Sequence, residues 1–144
     1  MYRLIHTLLL LGAFVSTAQS QDIQLLTQKE GISFRGLALL NEDCIWVSGS
    51  GGTVGKSLDG GKTWSWPSPK GYENFDFRDI EVFSRKEALI VSAGSPALLL
   101  RTEDGGESWR EVYRDERPAI FLDGMDFQGK EGFVIGDPIE GLFQ

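Results

Sequence analysis

GSGGTVGKSLDGGKTW, residues 49–64, and GSPALLLRTEDGGESW, residues 94–109, align without a gap at a constant offset of 45. Gly, Ser, Asp, Gly, Gly and Trp are identical between the two copies. Lys56/Arg101, Ser57/Thr102 and Thr63/Ser108 keep charge or hydroxyl. Agreement of this kind marks an internal repeat, and a repeat with this period governs the whole fold. The local chemistry is that of a braced corner. A carboxylate at Asp59 or Asp104 accepts backbone N–H groups further along the turn. Gly60-Gly61 and Gly105-Gly106 permit the positive φ that a side chain resists. Trp64 and Trp109 then leave the corner with a large ring to bury.

The repeat extends upstream. Phe34-Arg35-Gly36, Phe77-Arg78-Asp79 and Phe121-Leu122-Asp123 recur at spacings of 43 and 44. Each is followed by an apolar run ending in glycine: Ile45-Trp46-Val47 to Gly49, Leu89-Ile90-Val91 to Gly94, and Phe133-Val134-Ile135 to Gly136. Four short strands fit each unit. They are predicted near 33–40, 43–48, 53–57 and 63–66, then 76–83, 87–93, 97–102 and 108–113. The third unit has 120–127 and 131–136, with a start near 141. Runs such as Ala97-Leu98-Leu99-Leu100 suit strands covered on both faces. Four strands per 40–45 residues is the period of propeller blades, whose sheets pack face to face around an axis. The expected fold is therefore all-β: a β-propeller fragment of about two and a half four-stranded blades, at 32–67, 75–114 and 119–144, within a domain spanning 21–144.

The eighteen glycines cluster beside Asp, Ser and Trp, as tight turns require. Residues 1–20 stand apart. Arg3, the apolar run Leu8–Val15 and small residues at Ser16-Thr17-Ala18 or Ala18-Gln19-Ser20 read as a cleaved signal peptide. The run is shorter than the roughly 20 residues a membrane span needs. No cysteine follows it closely, so no lipid anchor is expected, and the mature chain is expected in the periplasm or secreted. Cleavage removes His6, the sole histidine, which excludes histidine triads, histidine metal sites and haem ligation from this segment. It also takes the formal charge from −7 to −8. So acidic a chain is poorly suited to nucleic acid or anionic membranes. Cys44 is alone and reads as a small buried apolar residue.

The corner motif S-x-D-x-G-x-T-W is met by Ser57, Asp59, Gly61, Thr63 and Trp64. Thr102, Asp104, Gly106, Ser108 and Trp109 meet it with hydroxyl swaps. It resembles the Asp-box (bacterial neuraminidase) repeats of sialidases, some xyloglucan hydrolases and sortilin-type receptors. The fuller pattern is FRGL at 34–37, R-T-x-D-G-G-x-S-W, and G-D-P-I-E-G at 136–141. It resembles the photosystem II stability/assembly factor-like propellers. The resemblance implies that these ten residues are scaffold, away from the ligand-binding face. It also implies a non-enzymatic, exported scaffold that binds partner proteins of a membrane complex, with no cofactor or metal. The alternative is a glycan-acting propeller, a glycosidase or carbohydrate binder, with Trp66, Tyr72 and Tyr113 available to stack on sugars.

Other apparent motifs fail on their own chemistry. Residues 49–57 miss the phosphate loop because Ser50 replaces its first glycine and no helix follows. The dinucleotide fingerprint fails for want of a βαβ unit. Asp76, Asp79, Glu81, Asp123 and Asp126 could supply a glycosidase pair, yet carboxylates at strand starts commonly belong to turns. Arg35 sits in a context like the sialidase FRIP motif, with Gly36-Leu37 in place of Ile-Pro. Equivalent positions on successive blades ring the axis, which makes Arg35 and Arg78 neighbours on one rim. Two readings stand: a positive spot for an acidic partner segment, or two arginines paired with nearby acids. Because closed rings hold about four to eight blades, the sequence is expected to be a fragment of a longer protein. Ile23-Gln24-Leu25-Leu26 is then the outer strand of a final blade.

Overall fold

A computed structural model describes residues 22–139, so the predicted signal peptide and the strand start near 141 lie outside the described residues. Nine strands form three antiparallel sheets. The first holds β1 (Phe34–Leu39), β2 (Ile45–Gly49) and β3 (Val54–Ser57). The second holds β4 (Phe77–Val82), β5 (Ala88–Ser92), β6 (Ala97–Thr102) and β7 (Arg110–Asp115), and the third β8 (Leu122–Gln128) and β9 (Glu131–Gly136). Within each sheet every connection is a hairpin. The β1–β2 turn is held by Asn41 Oδ1, which accepts the Asp43 and Cys44 N–H groups. Ser84 Oγ does the same for Lys86 and Glu87 in the β4–β5 turn. These are local side-chain mimics of a backbone turn. Among the described residues no helix is long and apolar enough to cross a membrane.

The sheets stack as blades. β1 stands against β4 and β4 against β8, while the outer strands splay apart, so the first strand of each sheet lies on the axial side of an arc. Strand alternation sends successive side chains to opposite faces. From β5, Ala88 and Ile90 join Cys44, Trp46 and Val54 of the first sheet, with Phe77, Ile80, Leu98 and Leu100, in one core. Leu89 and Val91 join Ala97, Ile120, Leu122 and Met125 in the next. The central sheet is thus buried on both faces, which is why its strands read as continuous apolar runs.

Two expectations are corrected. The predicted strand at 63–66 is reduced to one bridge, between Lys56 and Ser65. Pro67 and Pro69 follow at once and cannot donate to a ladder. Ser68 Oγ takes over, accepting the Val54 N–H at 3.0 Å. Leu26 packs over the Gly61 corner, where a Cβ on Gly61 would meet it at 2.9 Å. Secondly, the upstream triplets are shifted in the third blade. Each first strand carries a bulge, between Phe34 and Gly36, Phe77 and Asp79, and Leu122 and Gly124. Arg35 and Arg78 therefore correspond to Asp123, and the aromatic that sequence spacing selected, Phe121, lies one residue before the equivalent site.

Candidate functional site

The two ends of the arc differ in chemistry. At one end sit the corners between third and fourth strands. Ser57 Oγ donates to Asp59 Oδ1 at 2.8 Å and accepts the Gly61 N–H at 2.8 Å. The Thr63 N–H donates to Asp59 Oδ1 at 2.8 Å, and its hydroxyl donates to Oδ2 at 2.6 Å. Thr102, Asp104, Gly106 and Ser108 repeat the network. The Thr63 hydroxyl, then the Thr63 N–H and the Ser57 hydroxyl, hold the Asp59 carboxyl down at about 2. Ser108 and Thr102 hold Asp104 well below the carboxylate range in the same way. Each corner is tied to the hairpin beside it, Gly60 N–H to Asp43 O and Gly105 N–H to Lys86 O.

Two side chains cross from one blade to the next at this level. Trp64 Nε1 closes on its own corner, donating to Gly61 O at 3.0 Å. Trp109 Nε1 instead reaches back to Pro67 O of the preceding unit at 2.8 Å. Lys56 Nζ passes over the Trp46 ring and donates to Arg85 O at 2.8 Å and Gly105 O at 3.4 Å. Burial lowers its pKa. All of these groups are engaged in holding corners and blades.

The opposite end carries the arginines. Arg35, on β1, donates through Nε to Asp76 Oδ1 of the second blade at 2.7 Å. Arg78, on β4, donates through a terminal nitrogen to Asp123 Oδ1 of the third blade at 3.0 Å, and its guanidinium lies 5.4 Å from the Phe121 ring centroid. Each side chain in these pairs is about a third exposed. Each arginine is the extra residue of the bulge at the start of its strand, as is Asp123 in the third blade. The three equivalent positions read Arg35, Arg78 and Asp123, so the charge reverses at the third blade and the second arginine pairs with it.

Asp79 has a different task. Its Oδ1 accepts the Ile80 N–H and its Oδ2 the Met125 N–H of the third blade, both at 2.8 Å. The equivalent positions are Gly36 and Gly124. A Cβ on Gly36 would lie 2.8 Å from Asp79 Cα, so the first strands approach too closely for a side chain there. Glu81 faces Asp79 and Asp126; burial first, then those charges, raises its pKa. Of the five carboxylates read as acid/base candidates, Asp76, Asp79 and Asp123 are already bonded. The stacking aromatics are not assembled into one platform. Trp66 and Tyr72 line a cleft of about 320 Å³ with Lys70, Glu107 and Trp109. Tyr113 lies apart on β7, its hydroxyl donating to Asp115. Trp66 is stacked on Phe34 and lies beneath Lys29 Nζ.

The reading of two arginines paired with nearby acids holds in this structure, but sequence spacing did not match Arg35 to Asp76 or Arg78 to Asp123, because the partners lie 41 and 45 residues away across a blade boundary. It also missed the Trp109–Pro67 and Asp79–Met125 crossings, for which no local signal exists.

The family described as Photosynthesis system II assembly factor YCF48 matches residues 71–142. The photosystem II assembly lipoprotein Ycf48 of Picosynechococcus sp. is 38% identical over 132 residues, covering 87% of this chain and 38% of that protein. The chloroplastic photosystem II stability/assembly factor HCF136 of Oryza sativa subsp. japonica is 34% identical over 94 residues, covering 61% and 22%. Two solved structures share the fold. "YCF48 bound to D1 peptide" superposes with a TM-score of 0.61 at 21% identity, over 73% of this chain and 34% of its own. "YCF48 from Cyanidioschyzon merolae" gives 0.60 at 20% identity, over 77% and 36%. The chain spans between 22% and 38% of the length of these relatives. It is all-β, its repeated corners and stacked blades follow their β-propeller, and it belongs to the YCF48 family of photosystem II assembly factors.

Proposed function

We propose that this chain is part of an exported, non-enzymatic propeller scaffold that holds an acidic segment of a partner protein at the arginine-bearing end of the arc. The partner belongs to a membrane complex under assembly, in keeping with the photosystem II role in the relatives' names. The observation that carries the reading is the placement of Arg35 and Arg78 at equivalent positions on adjacent axial strands. Each is partly exposed and commits a single nitrogen to a hydrogen bond. A guanidinium with an unused fork matches a carboxylate bidentately, which a lysine cannot do. A related propeller is described as bound to a peptide, which supports the same use of this fold. The corner residues Ser57, Asp59, Gly61, Thr63 and Trp64, with Thr102, Asp104, Gly106, Ser108 and Trp109, serve as scaffold at the other end. The signal-like residues 1–20, together with relatives described as a lipoprotein and as chloroplastic, support a periplasmic or secreted location.

The test is direct binding. The full chain and its Arg35→Ala/Arg78→Ala variant are titrated into a fluorescein-labelled peptide of alternating glycine and glutamate with a free C-terminal carboxylate. The double variant is expected to lose at least about tenfold in affinity, as loss of charge-assisted bonds implies. Equal affinity of the two proteins would remove the arginines from the proposal.

A further inference from the structure

We propose that Asp76 and Asp123 act as internal competitors, so that a partner carboxylate binds by displacing them from Arg35 and Arg78. This rests on the reading of the two arginines as the partner-binding pair.

Neither ion pair has the geometry of a structural staple. Both are single-nitrogen contacts between side chains about a third exposed. Pairs of that kind contribute little to stability. The blades are already fastened elsewhere by groups better placed for it. Asp79 Oδ2 accepts the Met125 N–H, the buried Ser48 Oγ donates to Phe77 O, Lys56 Nζ reaches two carbonyls, and Trp109 Nε1 reaches Pro67 O. The apolar contacts of the two cores lie beneath.

Each aspartate does something definite to its arginine. It neutralises the guanidinium and orients it through one nitrogen, leaving the remaining donors unmatched among the described residues. An incoming carboxylate can use the fork bidentately, a stronger arrangement than the one it replaces. The displaced Asp76 or Asp123 then returns to water, from which it is already only partly withdrawn. On a chain of net charge −7, these aspartates also keep the arginines from gathering acidic ligands indiscriminately.

Removing the charge while keeping the acceptor isolates this effect. Asp76→Asn and Asp123→Asn retain an oxygen for the guanidinium but no longer neutralise it. With the glycine–glutamate peptide as probe, each is expected to bind up to about fivefold more tightly than the unaltered chain. That is the range set by exposed ion pairs of ~0–1 kcal/mol. Glu42→Gln, on the hairpin at the opposite rim, alters net charge equally and is expected to change affinity by less than about 1.5-fold at the ~0.15 M salt where screening reaches only ~8 Å. Thermal unfolding of each variant confirms that the fold is retained.

Tightening by the Asn variants, with loss in the Arg35→Ala/Arg78→Ala variant, establishes the exchange. Unchanged or weaker binding by the Asn variants, with binding still lost in the arginine variant, overturns the exchange and leaves the arginine site standing. Tightening by Glu42→Gln equal to that of Asp76→Asn also overturns it. Unchanged binding by the arginine variant overturns both.

Discussion

Asp59 and Gly106 show how single residues set the corners. Asp59 is pushed down to about 2, below its ordinary 3.8, because hydrogen bonds led by those from the Thr63 hydroxyl and N–H favour its charged form. As pH falls the unfolded chain takes up this proton first. The carboxylate's contribution is therefore complete above about pH 4 and is lost as pH drops toward 2. Asp59→Asn should flatten the decline in urea midpoint between pH 5 and pH 2.5, and an unchanged slope would remove Asp59 from the acid transition. Gly106 combines φ of +94° with a neighbour, since a Cβ there would run into the Pro67 ring. Gly94 has φ of +77° but nothing within 4 Å. Gly94→Ala should thus cost about 1 kcal/mol from backbone strain alone, and Gly106→Ala roughly 2–3 kcal/mol. Denaturant titration measures both, and equal losses would mean the Pro67 contact is immaterial.

Among the elements, the outer edge of the first sheet is the instructive case. β7 completes the second sheet along six residues, but the corresponding stretch after Trp64 manages one bridge before Pro67. Exposed sheet edges invite pairing with other chains. Here the Ser65 bridge and the Ser68 hydroxyl answer the outward groups of β3. Ser68→Ala should leave the N–H of buried Val54 without its partner and cost about 1–3 kcal/mol. A loss below about 0.5 kcal/mol in denaturant titration would show that water reaches this edge. The proline pair also supplies the carbonyl that Trp109 uses, so one interruption both ends a strand and ties two blades.

For the whole molecule, the same positions differ in burial according to their place in the arc. Ile80 is 1% exposed between blades while its equivalent Leu37 is 62% exposed. Leu89 and Val91 are buried, whereas their equivalents Phe133 and Ile135 are 82% and 60% exposed. Apolar faces of this kind favour association. The Phe133→Glu/Ile135→Lys variant should reduce concentration-dependent self-association in sedimentation velocity while leaving the unfolding free energy within about 0.5 kcal/mol of the original. Self-association that persists undiminished would place the contact elsewhere.

The sequence by itself determined the corners, the blade period and the two-faced strands. Asp59-Gly60-Gly61 and Asp104-Gly105-Gly106 are closed by bonds spanning at most four residues, and Ala97–Leu100 announces burial through composition alone. Local chemistry needs no distant partner to be legible. Only the tertiary structure decided that Arg35 meets Asp76, that Arg78 meets Asp123, that Trp109 binds Pro67, and that Leu122 rather than Phe121 matches Phe77. The physical reason is common to all four. Each joins residues 41 to 45 positions apart in neighbouring blades, and such contacts depend on how two separately twisted sheets meet.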